Sequence, residues 1–346
     1  MSHVSIHTGG VGFFIKEETA MGYTQSQWIL FFFFYCFLGW VWESGYVSVK
    51  KREWINRGFL RGPVLPIYGF GAITILWLTL PVREHPALIF VIGLLGADIL
   101  EYVTGAAMEK LFHMRYWDYS SEKFNLNGYI CLSSTLLWGC FSVALTEAIH
   151  PPIERLILSI PAVIADPLSL AGVAVFAADV TSSFRSALNM RELLEKIGEN
   201  NEAVAALETR LDTAVSGFTR TSEEFRNNIC AIRDAIKEMR TSRQQKTKAY
   251  LVFLNEKANA AVKEVQAQMA LAVPENEKAR LSKLLSELED MKARLSRTGW
   301  ELAAWKNREY REAADIIRRN PSAVSRKFRE AFEEIKALGN SKERKE

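Results

Sequence analysis

Apolar residues dominate the first half of the chain in runs long enough to cross a bilayer. A spanning helix needs about 20 such residues, because no water is present in the bilayer core to satisfy its backbone. Thr19 to Trp42 is a charge-free window of this kind, centred on Trp28-Ile-Leu-Phe-Phe-Phe-Phe-Tyr35. Gly62 to Val82 is a second and Phe124 to Thr146 a fourth; the third, Ala87 to Met108, is interrupted by Asp98 and Glu101. Leu156 to Ala178 is also apolar but contains Pro161 and Asp166-Pro167. Asp followed by Pro is a good N-cap and N1 pair, since Asp accepts orphan amides and Pro has none to orphan. The pattern therefore predicts a fifth span from Pro167 to near Phe184, after a short interfacial or re-entrant helix over Ile153 to Ile164. A single span bent at Pro161 is the competing arrangement.

Beyond Phe184 the period changes. Val204, Leu207, Leu211, Val215 and Phe218, then Phe225, Ile229, Ile232, Ile236 and Met239, step mostly by three and four, as in a heptad seam. The seam resumes at Ala258, Val262, Val265 and Met269, and Pro274 then breaks the helix. A following helix carries Leu281, Leu284, Leu285, Leu288, Met291 and Leu295, and Asn320-Pro321 breaks it before Phe328, Phe332 and Ile335. An antiparallel helical hairpin with a short terminal helix fits this order, as does self-association through the longer first helix. The predicted fold class is all-α: a polytopic membrane domain of about five transmembrane helices over 28–184, then a helical coiled-coil region over 185–346. Residues 1–27 read as an N-terminal extension. Lys16-Glu17-Glu18 gives it no basic n-region and no small-residue cleavage site follows, so the first segment is expected to be a retained span rather than a signal peptide. Met21 is an alternative start.

Charge sharpens the division. The whole chain carries a net +3, but up to Phe184 there are 11 Lys and Arg against 14 Asp and Glu, and the second half holds the positive excess. There the charges alternate in sign along helix faces, which argues for solvated helices and not for a nucleic-acid partner. Lys and Arg in the short loops set orientation. Lys50, Lys51, Arg52, Arg57, Arg61, Lys110, Arg115 and Lys123 lie on one side, against Lys16, Arg83 and Arg155 on the other. The bias puts the N-terminus outside and the C-terminal half in the cytoplasm. Cys36, Cys131, Cys140 and Cys230 form no C-x-x-C and read as free, buried thiols. Neither H-E-x-x-H nor G-x-x-x-x-G-K-[ST] occurs, so the sequence offers no metal site, no cofactor motif and no P-loop.

Ionisable groups inside spans cost several kcal/mol each, and so pair, face a cavity or do chemistry. Here they are Glu43, Asp98, Glu101, Glu147 and Asp179. On the orientation above Glu43, Glu101 and Asp179 share the cytoplasmic half of the membrane, with Asp98 one turn deeper than Glu101. Arg57 and Arg61 are candidate countercharges. The run Asn56-Arg-Gly-Phe-Leu-Arg-Gly-Pro-Val-Leu-Pro-Ile-Tyr-Gly-Phe-Gly71, with four glycines and two prolines, is poorly suited to regular helix. Irregular backbone at membrane depth is tolerated where it is buried or lines a cavity. Between the third and fourth spans, Tyr116, Trp117 and Tyr119 suit an interfacial aromatic belt, which leaves Asp118, Asn125 and Asn127 unexplained.

Several segments occur in a recognisable order: Gly39-Trp-Val-Trp-Glu43, the Asn56 to Gly71 run, Glu101-Tyr102 with Gly105 and Glu109-Lys-Leu-Phe112, Trp117-Asp-Tyr-Ser120, Asn125-Leu-Asn-Gly-Tyr-Ile-Cys-Leu132 and Trp138-Gly139. Together they resemble the bacterial integral membrane family described as putative ABC-transporter permease, type IV (CmpB-like), over roughly Trp28 to Phe184. The resemblance implies a bacterial cell membrane location and a separate ATP-binding subunit, in keeping with the missing P-loop. Residues that match its pattern and are costly in a membrane are the candidate substrate or transport site: Glu43, Asn56, Arg57, Glu101, Glu109, Asp118 and Asn127. Arg61 joins them as a countercharge and Asp98 by position. Three functions stay open at this point: a permease-like subunit with a cavity for a polar solute, an intramembrane enzyme acting on a lipid or head group, and a membrane-anchored coiled-coil scaffold.

Overall fold

A computed structural model describes residues 22–217, 223–241, 247–271, 274–304 and 308–342. The start proposed at Met21 and the seam position Phe218 lie outside these residues. Among the described residues every regular element is helical, and β-pairing is limited to two isolated bridges. Among the described residues, four helical stretches are long and apolar enough to cross a membrane: α1 (Gln25–Lys51), α3 (Pro86–Phe112), the composite Leu132–Leu158, and the first part of α6, Ala162–Glu199. The expected second span, α2 (Pro66–Thr79) with a 3-10 turn to Val82, is a shorter apolar helix, because Pro66 at its first turn fixes a late start.

Local chemistry explains the boundaries. Thr24 caps α1 in a capping box, its hydroxyl accepting from Gln27 N–H while the Gln27 side chain accepts from Thr24 N–H at 2.8 Å. The helix then outruns its apolar window by more than two turns and ends where Arg52 takes φ 57°, with Arg52 and Glu53 N–H closing back on Val49 and Ser48. Glu43 is therefore a helical residue.

The fourth and fifth spans differ from expectation. α4 (Leu132–Ala144) passes through a π-helical turn, Leu145–Ile149, directly into α5 (His150–Leu158). Ile153 to Ile164 is thus not a separate interfacial helix. The chain breaks at Ser159, Ile160 and Pro161, and the Pro161 carbonyl accepts from Ile164 and Ala165 N–H at 2.8 and 2.9 Å to start α6 (Ala162–Gly217). A proline that cannot continue one helix but can cap the next explains the break, and it rules out one span bent at Pro161. Pro167 falls inside α6 near its start. Asp166 does not cap; it accepts from Ser26 Oγ at 2.6 Å. Nor does α6 stop near Phe184. All four cysteines are free, but only Cys36 and Cys131 are buried, and Cys140 is exposed.

The chain forms two compact units. The first comprises Met1–Val103 and Tyr119–Thr181. Its core sets Leu30, Phe31 and Tyr35 of α1 against Ile75 and Leu76 of α2 and Leu145 and Ile153 of the fourth span. The second comprises Thr104–Asp118 and Ser182–Glu346. In it α7 (Glu223–Thr241), α8 (Thr247–Met269) and α9 (Glu275–Ala304) share one core. The seam residues Ile229, Ile232 and Ile236 meet Ala258, Val262 and Val265 and then Leu281, Leu284 and Leu288. The hairpin expected around Pro274 is α8 and α9, and the described seam is buried within the chain.

The same unit holds the turn between α10 (Arg308–Arg319) and α11 (Arg329–Lys342) against the segment that follows α3. Arg115 and Val324 exchange two backbone hydrogen bonds of 2.8 and 2.9 Å. Ser322 and Ser325 donate to the Tyr116 and His113 carbonyls at 3.1 and 2.7 Å. The Arg115 side chain, 5% exposed, pairs with Glu109 at 2.7 Å and Asp118 at 3.3 Å, and Arg326 reaches Asp118 at 3.3 Å.

Candidate functional site

Helical spacing places Trp40, Glu43 and Ser44 on one side of the last turns of α1. The irregular segment after α1 is tied back along those turns. Ile55 N–H donates to Ser48 Oγ at 2.9 Å, Arg57 N–H to Ser44 Oγ at 3.1 Å, and Leu65 N–H to the Cys36 carbonyl at 2.9 Å. Trp40 Nε1 donates to Asn56 Oδ1 at 2.6 Å, and Asn56 Nδ2 donates to the Arg61 carbonyl at 2.7 Å. Asp179, from α6, accepts from the N–H groups of Arg61 and Gly62 at 3.1 and 2.8 Å. Its role in this loop is to satisfy backbone amides, so Asp179→Ala should lower stability by about 1–3 kcal/mol in thermal or chemical unfolding of the detergent-solubilised protein.

This folding-back puts Arg57 and Tyr68 on Glu43. Arg57, 14% exposed, approaches Glu43 Oε2 at 3.5 Å, and Tyr68 Oη donates to Glu43 Oε1 at 2.9 Å. Gly39 makes the approach sterically feasible, since a Cβ there would overlap Cβ and the ring of Tyr68. A side chain on Gly69 would likewise meet Cys36 and Phe32. These are close helix contacts that only glycine permits.

A second carboxylate, Glu101 of α3, is 6% exposed. Trp138 Nε1 of α4 donates to its Oε2 at 2.8 Å, and Tyr119 Oη to its Oε1 at 3.3 Å. One turn away Asp98 accepts from Thr135 Oγ1 at 2.6 Å, while its other oxygen, Oδ1, is buried with no hydrogen-bond partner among the described residues. Tyr119 is held by a tight loop. Its N–H donates to the Gly128 carbonyl at 2.9 Å, and Asn125 Oδ1 accepts from Gly128 N–H at 3.1 Å. Asn127 and Gly128 both take positive φ, and Asn127 Nδ2 donates to Tyr102 Oη at 2.8 Å.

The two groups act on one another. Tyr119 lies within electrostatic reach of Glu43 as well as Glu101, and Tyr68 within reach of Tyr119. Burial first, and then the charge and hydrogen bond of Glu101, push the Tyr119 phenol well above its usual range. It therefore stays a neutral donor at physiological pH. The cluster brings two carboxylates, a guanidinium and two phenols within electrostatic reach of one another.

Residues 30–184 match the family model described as putative ABC-transporter type IV. The matched segment, which covers less than half of the chain, is similar to this family. No curated protein and no solved structure matches the chain. With this likeness and its membrane-length helices, the chain is a multi-pass, membrane-embedded protein related to transport. The Glu43–Tyr68 and Glu101–Tyr119–Trp138 groups fall wholly within the family segment; Val324 and Arg326, which hold Arg115 and Asp118, fall outside it.

Of the residues singled out from the sequence, Glu43, Arg57 and Glu101 contribute side chains to the cluster. Asn56 and Asn127 shape the two loops that carry it. Arg61 contributes its backbone N–H and carbonyl, and Arg57 is the cation on Glu43. Asp98 joins through α4. Glu109 and Asp118 belong to the second compact unit, where both bind Arg115. Sequence reasoning passed over Tyr68, Tyr119 and Trp138 as site residues. Their signal was position: each lies in a segment that carries the family resemblance.

Proposed function

We propose that the protein is a permease-like subunit that moves a polar solute through an intramembrane polar cavity, with ATP hydrolysis supplied by a separate ATP-binding subunit. The reading places the N-terminus outside and the C-terminal half in the cytoplasm of a bacterial cell membrane, as the loop charges favour. One observation carries it. Carboxylates from two helices, Glu43 and Glu101, converge through Tyr68 and Tyr119 beside Arg57, where helix packing alone would be met by one neutral pair. Charges at membrane depth are costly and concentrate on solute and ion pathways. The irregular Asn56–Leu65 backbone against the same group supports the reading, because such backbone is tolerated where it lines a cavity.

Affinity purification of the tagged protein from native membranes in mild detergent tests the partner. A stoichiometric ATP-binding subunit is expected, and its reproducible absence would remove the permease reading. In the recovered complex, Glu43→Gln should reduce solute-stimulated ATP hydrolysis at least about tenfold, a loss of about 1.4 kcal/mol in coupling. Unchanged stimulation in that variant would separate the carboxylate from transport.

A further inference from the structure

α1 continues for eight residues past Glu43, and the loop that returns along it covers one side of that extension. Arg57 N–H and Ile55 N–H tie the loop to Ser44 and Ser48. The other side stays open and carries large apolar side chains. Trp42 is 71% exposed, Tyr46 60% and Val49 80%, and their spacing puts them on one helix face. Trp54, just past the helix, is 69% exposed and leans edge-on against Trp40, with ring centroids 6.1 Å apart. Lys50, Lys51 and Arg52 follow this strip directly, and all three are exposed. Lys50 Nζ lies 5.9 Å from the centre of the Tyr46 ring. Among the described residues no Asp or Glu forms an ion pair with any of the three, and Glu43 is already held by Arg57 and Tyr68. Glu53 stands beside them, so residues 50–53 hold three cations and one acid.

Cations in the last turn of a helix answer its dipole, which accounts for Lys50 and Lys51. It does not account for the large apolar groups exposed among them. Such a patch marks a surface that meets something other than water, while bare cations are costly in hydrocarbon. The headgroup layer accommodates both, because Trp and Tyr rings anchor there and Lys and Arg meet phosphates. The spacing agrees. Tyr46 and Lys51 are five residues apart, about 7.5 Å along the axis. One headgroup layer is about 5–8 Å deep. With Tyr46 at the edge of the hydrocarbon, Lys51 and Arg52 therefore reach the depth of the phosphates. Positive charge without an acidic partner favours a lipid of net negative charge, since a zwitterionic headgroup already answers its phosphate with its own amine.

We propose that the end of α1 and the turn after it form a binding surface for the headgroup of an anionic phospholipid. Lys51 and Arg52 meet the phosphate, and Lys50 adds its charge from over the Tyr46 ring. Val49 and Trp54 lie against the glycerol and the upper acyl chain. The occupant is a lipid of the bilayer, because a soluble anion would leave the apolar strip bare. The surface uses none of the side chains of the Glu43–Glu101 cluster, and it does not depend on the transport reading.

The test is quenching of Trp54 fluorescence in the full-length protein, reconstituted in bilayers of phosphatidylcholine and phosphatidylglycerol. One lipid at a time carries bromine on the upper part of its acyl chain, which gives the relative binding constant at this position. The chain has nine tryptophans, so the Trp54 signal is the difference from Trp54→Phe. The expected result is a preference of about fivefold or more for phosphatidylglycerol, the effect of one cation at an anionic surface. The preference should be lost when Lys50→Gln, Lys51→Gln and Arg52→Gln are combined, and kept when Lys50→Arg and Lys51→Arg are combined. If the triple variant does not fold, the wild-type protein in about 1 M salt supplies the comparison, since screening there reaches within about 3 Å and should remove most of the preference. Equal quenching by the two lipids, as from a lipid-facing anchor alone, would overturn the proposal. So would the absence of quenching by either, or a preference that survives the triple variant or the high salt. Loss of the preference on adding inorganic phosphate at constant ionic strength would also overturn it, by assigning the cations to a soluble anion.

Discussion

Arg115→Met should lower the unfolding free energy by about 3 kcal/mol, because it leaves Glu109 and Asp118 around a vacated buried position. The guanidinium is 5% exposed and bridges the two carboxylates at 2.7 and 3.3 Å. The lower end of the usual range applies, since both acids keep some contact with water. Arg326 still reaches Asp118, so most of the loss falls on Glu109. Adding Glu109→Gln to Arg115→Met should therefore recover a large part of the stability. The backbone pairing of residue 115 with Val324 does not require the side chain, so the fold of the segment survives while its charges are unbalanced. Denaturant unfolding in detergent measures the cost; a change below about 1 kcal/mol would mean that the bridges are screened as at a surface.

Gly39→Ala should be nearly as damaging. The added methyl would overlap Cβ and the ring of Tyr68, and Cβ cannot swing aside as the tip of a long side chain could. Either α2 moves off α1 or Tyr68 leaves its place, at a cost of about 1–3 kcal/mol. The second outcome also withdraws the phenol donor from Glu43. Tyr68→Ala in the same molecule should relieve the overlap, so the double variant should be more stable than the sum of the two single losses predicts. Strict additivity across that cycle would show that Gly39 acts elsewhere.

The spanning helices were legible because a bilayer imposes a length and an apolar composition that few other environments demand. Their ends were less so. A charge closes a hydropathy window but not a helix, and α1 runs on through Glu43 to Lys51. Pro161 and Pro167 look alike in sequence, and Asp166-Pro167 carries the stronger capping signal. The difference lies in a partner 140 residues away: Ser26 takes the Asp166 carboxylate that would have capped.

The acids of the cluster stood out because each is expensive at membrane depth. Their hydrogen-bond donors did not, since a tyrosine near a span end reads equally well as an interfacial anchor. Nothing in the local sequence distinguishes Tyr119, bound to Glu101, from Tyr116, whose carbonyl receives Ser322. The hydrophobic seam of the second half was legible from its period, and its described positions form a three-helix core. The pairing of Arg115 with Val324 was not, because an exchange of backbone bonds leaves no side-chain pattern to read.

The π-helical turn at Leu145–Ile149 has a consequence for how this chain can vary. On one side of it the fourth span turns Thr135 and Trp138 toward Asp98 and Glu101; on the other it turns His150 toward the tyrosines of α1. The turn is the phase shift that lets a single helix serve two partners in different directions. Deleting one residue within it would advance everything downstream by about 100°. Such a deletion would swing His150 out from between Tyr23 and Tyr35 and leave the Glu101 contacts untouched. Substitutions at its exposed positions, Glu147 and Ala148, are tolerable as long as its length is kept, whereas Leu145 and Thr146 are buried against α1 and α2 and must keep their character as well.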